Sequence, residues 1–213
     1  MRVLLVDHGS CDPPQTRVHG IRAGLEQLGI EAAVCGPSSV PGLEEQSPGM
    51  YGIHLRDVAA ASRVFLAAVK EGSPQAFLEA TAGVPARLLG LARETARQAL
   101  AEAVDLVYPD VIFVLHAGIL ADLAVETGAP VVVHVTAADL AATARRPSLR
   151  NLVAAAIGSS AVIVAEDDAV AAALAVDWLA DATDAAARLE TWALGPDAAT
   201  RIAIACRRAR RRA

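Results

Sequence analysis

Four short apolar runs of this chain each end on residues able to do chemistry. After the run from Arg2 to Asp7 come His8, Gly9 and Ser10; after Val111 to Leu115 come His116 and Gly118. After Val131 to Val135 come Thr136 and Asp139, and after Ala161 to Val164 comes Glu166. Small residues, hydroxyl and amide donors, imidazoles and carboxylates gathered on one rim suit a hydroxylated or phosphorylated ligand. A single histidine at such a place reads equally well as a loop cap. The set carries more weight, because four separate loops deliver polar groups to it.

His134 differs: it lies inside an apolar run, which predicts a packed imidazole with a backbone partner. Glu94 and Glu102 share a helical stretch with Arg93 and Arg97 and read as a surface laced by ion pairs. The chain has no Walker loop, no G-x-G-x-x-G, no H-E-x-x-H and no G-x-S-x-G. The first loop, DHGSCDPP, holds one glycine, too few to cradle a dinucleotide pyrophosphate.

The rim exists only if the runs are parallel strands. Residues 109–139, PDVIFVLHAGILADLAVETGAPVVVHVTAAD, read as a strand, a small-residue turn, a helix from Ile119 to Thr127, a Gly-Ala-Pro break and a second strand. Both runs are continuous and rich in Val and Ile, the pattern of strands covered on both faces and joined by a crossover helix. Ligands of such sheets sit beyond the carboxyl ends of the strands.

The amino-terminal part repeats this logic: a strand over Arg2 to Asp7, a helix from about Thr16 stopped by Gly29, and a strand over Ile30 to Cys35. Gly20 and Gly24, one turn apart, predict a close approach of that helix to the sheet. Gly36 to His54 is rich in Gly, Pro and Ser and reads as a long loop. Leu55 to Lys70 reads as an amphipathic helix, with Val58, Phe65 and Val69 on one face. Phe77 to Val104 reads as two helices divided at Gly83 and Pro85. Further on come a helix over Leu149 to Ile157, a strand over Ala161 to Val164, and a helix opened by Glu166, Asp167 and Asp168. Val170, Leu174 and Trp178 share a face of that helix. Leu189 to Leu194 and Pro196 to Arg212 follow as a strand and a terminal helix. The fold class is α/β, a single Rossmann-like three-layer domain with five or six mostly parallel strands over 1–195 and a basic helix or tail over 196–213.

The 213 residues are 54% hydrophobic and 3% aromatic, enough for one substantial core. No apolar run reaches the length of a membrane span, and the start does not read as a signal peptide. Three scattered cysteines fit a reducing compartment, so a cytoplasmic location is expected. Residues 201–213 hold six of the nineteen basic residues and no acid; the remainder carries 13 basic against 24 acidic residues, or −11. The tail reads first as a frayed, solvated helix end favouring the negative pole of its dipole, and second as a contact for an anionic surface. The acidic body would repel a polyanion, so no nucleic-acid partner is expected.

The segments MRVLLVDHGS and RVHGIRAGLEQLGIEAAV, then PDVIFVLHAGILADLAVETGAPVVVHVTAADL, then SSAVIVAEDDAVAAAL resemble the amino-terminal half of GT-B glycosyltransferases of the retaining family-4 type. The resemblance covers about 1–35 and 105–180. It implies the acceptor-binding half of a GT-B fold, which transfers a glycosyl group from a nucleotide-sugar co-substrate to a sugar or other hydroxyl acceptor. It implies no further cofactor and no metal, and a donor held by a carboxyl-terminal domain or a partner chain. By position, His8, Gly9 and Ser10 would face the donor phosphates, His116 and Gly118 would sit at the acceptor side, and Glu166 would match a glutamate after the later strand. Asp139 matches the aspartate of a His-Gly-x-Asp motif and, with Thr136, would stand at the catalytic position.

Three features depart from the family: Thr136 stands where it has an imidazole, the first loop lacks a Gly-Gly pair, and its paired carboxyl-terminal glutamates have no match. The expectation is a domain of a longer enzyme, a half needing a partner, or a degenerate acceptor module, in that order. Residues 4–13, LLVDHGSCDP, are also similar to the opening of sirohydrochlorin chelatases, on which reading His8 with His116 or His134 would hold a metal for insertion. A non-catalytic ligand- or partner-binding module is the third alternative.

Overall fold

The computed structural model describes residues 1–12, 17–40, 43–54, 69, 71, 73–179 and 184–212. Among the described residues, seven parallel strands form one sheet in the order β3-β2-β1-β4-β5-β6-β7. They are β1 (Arg2–Val6), β2 (Glu31–Pro37), β3 (Met50–Ile53), β4 (Val111–Val114), β5 (Val131–Val135), β6 (Val162–Ala165) and β7 (Leu189–Thr191). The described helices are α1 (Arg17–Gln27), α2 (Leu43–Gln46), α3 (Pro74–Gly83), α4 (Ala86–Val107), α5 (Ile119–Glu126), α6 (Ala137–Ala144), α7 (Pro147–Ser159), α8 (Asp168–Ala173) and α9 (Ala198–Arg212). α8 passes into a π-helical turn over Leu174–Trp178, and Val170 and Leu174 remain buried along it.

The α/β class holds, and the sheet is larger and more uniform than the apolar runs alone suggest. The extra strand, β3, arises where a long loop was expected. MYGI is too short to show periodicity, yet it pairs with β2 in register Val34↔Met50 through Pro37↔Ile53. Gly49, at φ +80°, turns the chain into it. The predicted helix over Leu55 to Lys70 lies almost wholly outside the described residues. The predicted division of the following stretch is present, with α3 ending at Gly83 and α4 beginning after Pro85.

The inner strands are buried on both faces, as their unbroken Val and Ile runs require. Alternate residues feed two cores. Leu4, Val6, Ile112, Val114, Val133 and Ile163 point to the side of α4, α5 and α7, while Val3, Leu5, Phe113, Val132 and Val164 point to the side of α1 and α9. Among the described residues no helix is long and apolar enough to cross a membrane.

The basic carboxyl-terminal segment is no frayed tail. Ile202, Ala205, Cys206 and Ala209 of α9 are buried in the second core, beside α1. Its arginines lie outward: Arg208 pairs with Glu190 at 2.5 Å and Arg201 with Asp197 at 2.6 Å.

The glycine pair of α1 divides into two different cases. A Cβ on Gly24 would lie 2.7 Å from the Cβ of Ala199, so this glycine lets α1 approach α9 rather than the sheet. A Cβ on Gly20 would meet nothing within 4 Å. Gly20→Ala is therefore expected to raise stability by about 0.5–1 kcal/mol, the helix-propensity gain. Gly24→Ala should lower it by about 1–3 kcal/mol through overpacking. Urea unfolding midpoints test this, and shifts of the same direction in both variants would contradict it.

Candidate functional site

The sheet order reverses between β1, which leads out to β2 and β3, and β4, which leads the other way. At such a switch point the loops after neighbouring strands diverge and leave a crevice. His8 follows β1 and His116 follows β4, so the two histidines flank that crevice, their ring centroids 6.3 Å apart.

His116 is held by Asp139. Its Nδ1 lies 3.1 Å from Asp139 Oδ1. The other carboxylate oxygen accepts the Ala117 N–H at 3.0 Å and the Thr136 N–H at 2.9 Å. Thr136 Oγ1 in turn accepts the Asp139 N–H at 3.2 Å. Thr136 and Asp139 thus form the capping box that starts α6, with Asp in the third helical position. The same carboxylate caps a helix, ties the loop after β4 to the loop after β5, and fixes an imidazole. Asp139 is wholly buried.

Burial alone would raise the Asp139 pKa, but the His116 hydrogen bond and charge and the two backbone N–H groups hold it below the usual carboxylate range. For His116 burial acts downward; the Asp139 hydrogen bond and charge, assisted by Asp7, outweigh it and raise the value, while Arg17 opposes them. With Nδ1 engaged, Nε2 is the nitrogen left to receive a proton.

His116 opens into a pocket of about 230 Å³. Asp7, Ser10 and Arg17 line one side, Ser73, Pro74, Gln75 and Leu78 of the α3 entry another, and Leu115, Thr136, Ala138 and Asp139 the remainder. Ser10 is nearly buried, its Oγ accepting the Asp12 N–H at 3.1 Å. The Gly9 N–H donates to Asp7 Oδ1 at 3.0 Å. The sequence-derived residues Ser10, His116, Thr136 and Asp139 therefore come together.

His8, Gly9, Gly118 and Glu166 do not line this pocket. His8 is fully enclosed, and its Nε2 accepts the Leu120 N–H at 3.2 Å. Leu120 lies in the first turn of α5, whose N-cap is Gly118, a residue with no side chain to offer. The imidazole supplies the missing cap from the loop after β1. Gly118 has to be glycine for this: a Cβ there would stand 2.5 Å from His8 Nε2 and 2.6 Å from Leu78 Cδ2. Burial, then the charge of His116, pushes the His8 pKa down to about 3. Glu166 is half-buried beyond β6, and its neighbour Asp167 caps α8 by accepting the Val170 N–H at 2.8 Å.

His134 is the packed imidazole its setting predicts. It is nearly buried, with Nδ1 3.3 Å from the Leu115 carbonyl, and burial lowers its pKa to about 4. The chelatase reading needs His8 presented to a metal with His116 or His134. His8 is fully enclosed and does not line the pocket that His116 opens into. Among the described residues no group of three or more His, Cys, Asp or Glu is placed to hold a metal ion. Glu94, 2.5 Å from Arg97, belongs to a surface network with Glu126.

Arg17 and Gln75 are pocket residues that the sequence reading missed. Arg17 is the first residue of α1, where the sequence signals only a helix start. Gln75 follows the Ser-Pro that opens α3, in a stretch without a diagnostic pattern. A larger cavity, about 550 Å³, lies at the opposite end of the sheet near Gly128, Pro130 and Ser159. It contains no histidine, and its arginines, Arg188 and Arg212, donate to the carbonyls of Ser160, Ala161 and Ala187. The smaller pocket is the one lined by a histidine together with carboxylates.

No protein-family model and no curated protein matches the chain. Among solved structures it is similar to the Streptomyces sp. SF2575 glycosyltransferase SsfS6, at 16% identity over 78% of this chain and 50% of that one, with a TM-score of 0.42. It is similar to the same glycosyltransferase complexed with thymidine diphosphate, at 16% identity over 77% and 48% of the two chains, also with a TM-score of 0.42. The chain spans about half the length of these structures.

Proposed function

We propose that this chain is the acceptor-binding, base-supplying part of a glycosyltransferase that uses a nucleotide-sugar donor. The observation that carries the reading is the His116–Asp139 pair, set in a pocket at the point where the strand order reverses. The acceptor hydroxyl lies against His116 Nε2. As its oxygen forms the new bond to the anomeric carbon, its proton passes to Nε2, the bond from that carbon to the diphosphate oxygen breaks, and the nucleoside diphosphate leaves. Asp139 orients the imidazole and stabilises the imidazolium that forms, while remaining ionised.

A base on the acceptor side favours direct displacement, hence inversion at the anomeric carbon. This differs from the retention that the family-4 resemblance implies. The donor is presented across the pocket by a further domain or a partner chain. Asp139 and Thr136 then act as positioning residues, Ser10 as an acceptor contact, and His8 and Gly118 as the framework of α5.

The test is incubation of the chain, together with the domain or partner chain that presents the donor, with a panel of nucleotide-sugars and hydroxyl acceptors, followed by mass spectrometry and assignment of the product anomer by NMR. A glycosylated product with inverted configuration, lost in His116→Gln, is expected. No product from the panel, together with no shift of the melting temperature by any donor or acceptor, would defeat the reading.

A further inference from the structure

The pocket's own polar groups narrow the acceptor further, an inference that rests on the acceptor reading above. Three of them have capacity to spare. His116 Nε2 is open to a hydroxyl donor. The Gln75 amide donates from Nε2 to Glu79 Oε1 at 2.9 Å, which leaves its Oε1 buried without a partner among the described residues. A buried carbonyl oxygen in that condition lacks a donor and is costly unless one is supplied. Arg17 gives Nη2 to the Leu194 carbonyl, a neutral group, and makes no ion pair among the described residues. Its charge is close enough to oppose the protonation of both His116 and His134.

We infer that the acceptor is a small hydroxylated anion, with its carboxylate or phosphate on the Arg17 guanidinium and two of its hydroxyls on His116 Nε2 and Gln75 Oε1. A planar guanidinium matches an oxyanion through paired N–H bonds. The carboxylates of Asp7 and Asp139 border the same pocket, so the anionic end belongs at Arg17 and the hydroxyl end at the histidine. The volume of about 230 Å³ limits size. It falls below the roughly 300–1,000 Å³ that drug-sized ligands fill, and suits a single sugar acid, a sugar phosphate or a short hydroxy acid.

The experiment is equilibrium binding by calorimetry with no donor present. Glucuronate is compared with glucose, and glycerol 3-phosphate with glycerol, on the wild-type chain and on Arg17→Gln and Arg17→Lys. The anions should bind more tightly than their neutral counterparts. Arg17→Gln should weaken the anions by roughly tenfold or more, the value of one charge-assisted contact, and leave the neutral ligands unchanged. Arg17→Lys should keep part of the preference. Whichever of the two anions binds more tightly identifies the carboxylate or the phosphate as the recognised group. Equal binding of anion and neutral partner, no binding by any of the four, or an anion preference that survives Arg17→Gln overturns the inference. Should Arg17→Gln fold poorly, the wild-type comparison and Arg17→Lys still decide. Binding of the anion without any transfer would keep this inference and remove the transferase reading. Transfer to neutral acceptors with equal efficiency would do the reverse.

Discussion

His116→Gln is expected to lower the transfer rate by roughly 10²–10⁴-fold, the contribution of a positioned general base. The wild-type rate should also carry the titration of this imidazole. In the folded chain its pKa is raised above 6.5 by Asp139 against the effect of burial. The neutral, proton-accepting form is therefore depleted at pH 6.5, and kcat/KM should climb with pH through a value above it. Asp139→Asn removes the charge that raises the value while the burial stays, so the limb should move to lower pH as the plateau falls. A limb that stays in place in Asp139→Asn would show that the pair does not govern the rate. Stability follows the same linkage. The raised His116 contributes stability fully below pH 6.5 and loses it as pH rises through the folded value. The depressed Asp139 contributes above about 3.8 and loses it as pH falls through its folded value.

The residues that form this pair were legible in the sequence; their division of labour was not. Unbroken Val and Ile runs mark strands covered on both sides, and parallel strands deliver their trailing loops to one edge. Ser10, His116, Thr136 and Asp139 could therefore be placed on a common rim before any coordinates. Their partners could not, because hydrogen bonds between separate loops leave no periodicity. His8 and His116 look alike as histidines after strands. One is consumed in capping α5 and the other opens into the pocket, and the difference lies in a helix amino terminus 112 positions along the chain. Gly118, which the resemblance puts at the acceptor side, makes room for the His8 imidazole through its missing Cβ. Arg17 escaped notice because a basic residue at the start of a helix runs against dipole preference and marks no motif. That unfavourable placement is itself the signal that a ligand-directed role is available to it.

The chain should also lose stability on acidification well before its carboxylates titrate, through two histidines that take no part in the chemistry. His8 and His134 are held neutral in the fold, at about 3 and about 4, against 6.5 when unfolded. Between pH 6.5 and about 4 the unfolded chain therefore binds up to two more protons than the folded one. Stability is full above pH 6.5 and falls as pH drops, at up to about 1.4 kcal/mol per pH unit for each group. His116 offsets part of this only between pH 7.5 and 6.5, where its contribution is still growing; below pH 6.5 that contribution is complete, and that of Asp139 persists until lower pH. The cost has a structural origin at His8: a proton on Nε2 would displace the Leu120 N–H and leave a positive charge sealed between Phe77 and the amino terminus of α5. Urea unfolding at pH 7.5, 6.0 and 5.0 should show a loss of several kcal/mol across that range. His8→Gln, which keeps an acceptor for Leu120 and cannot titrate, should remove about half of the slope even if its stability at pH 7.5 is lower. A free energy that stays level from pH 7.5 to 5.0 would mean these rings accept protons in the fold. In that case His8 would have to reach solvent, and the enclosed cap on α5 would not be the resting arrangement of the crevice.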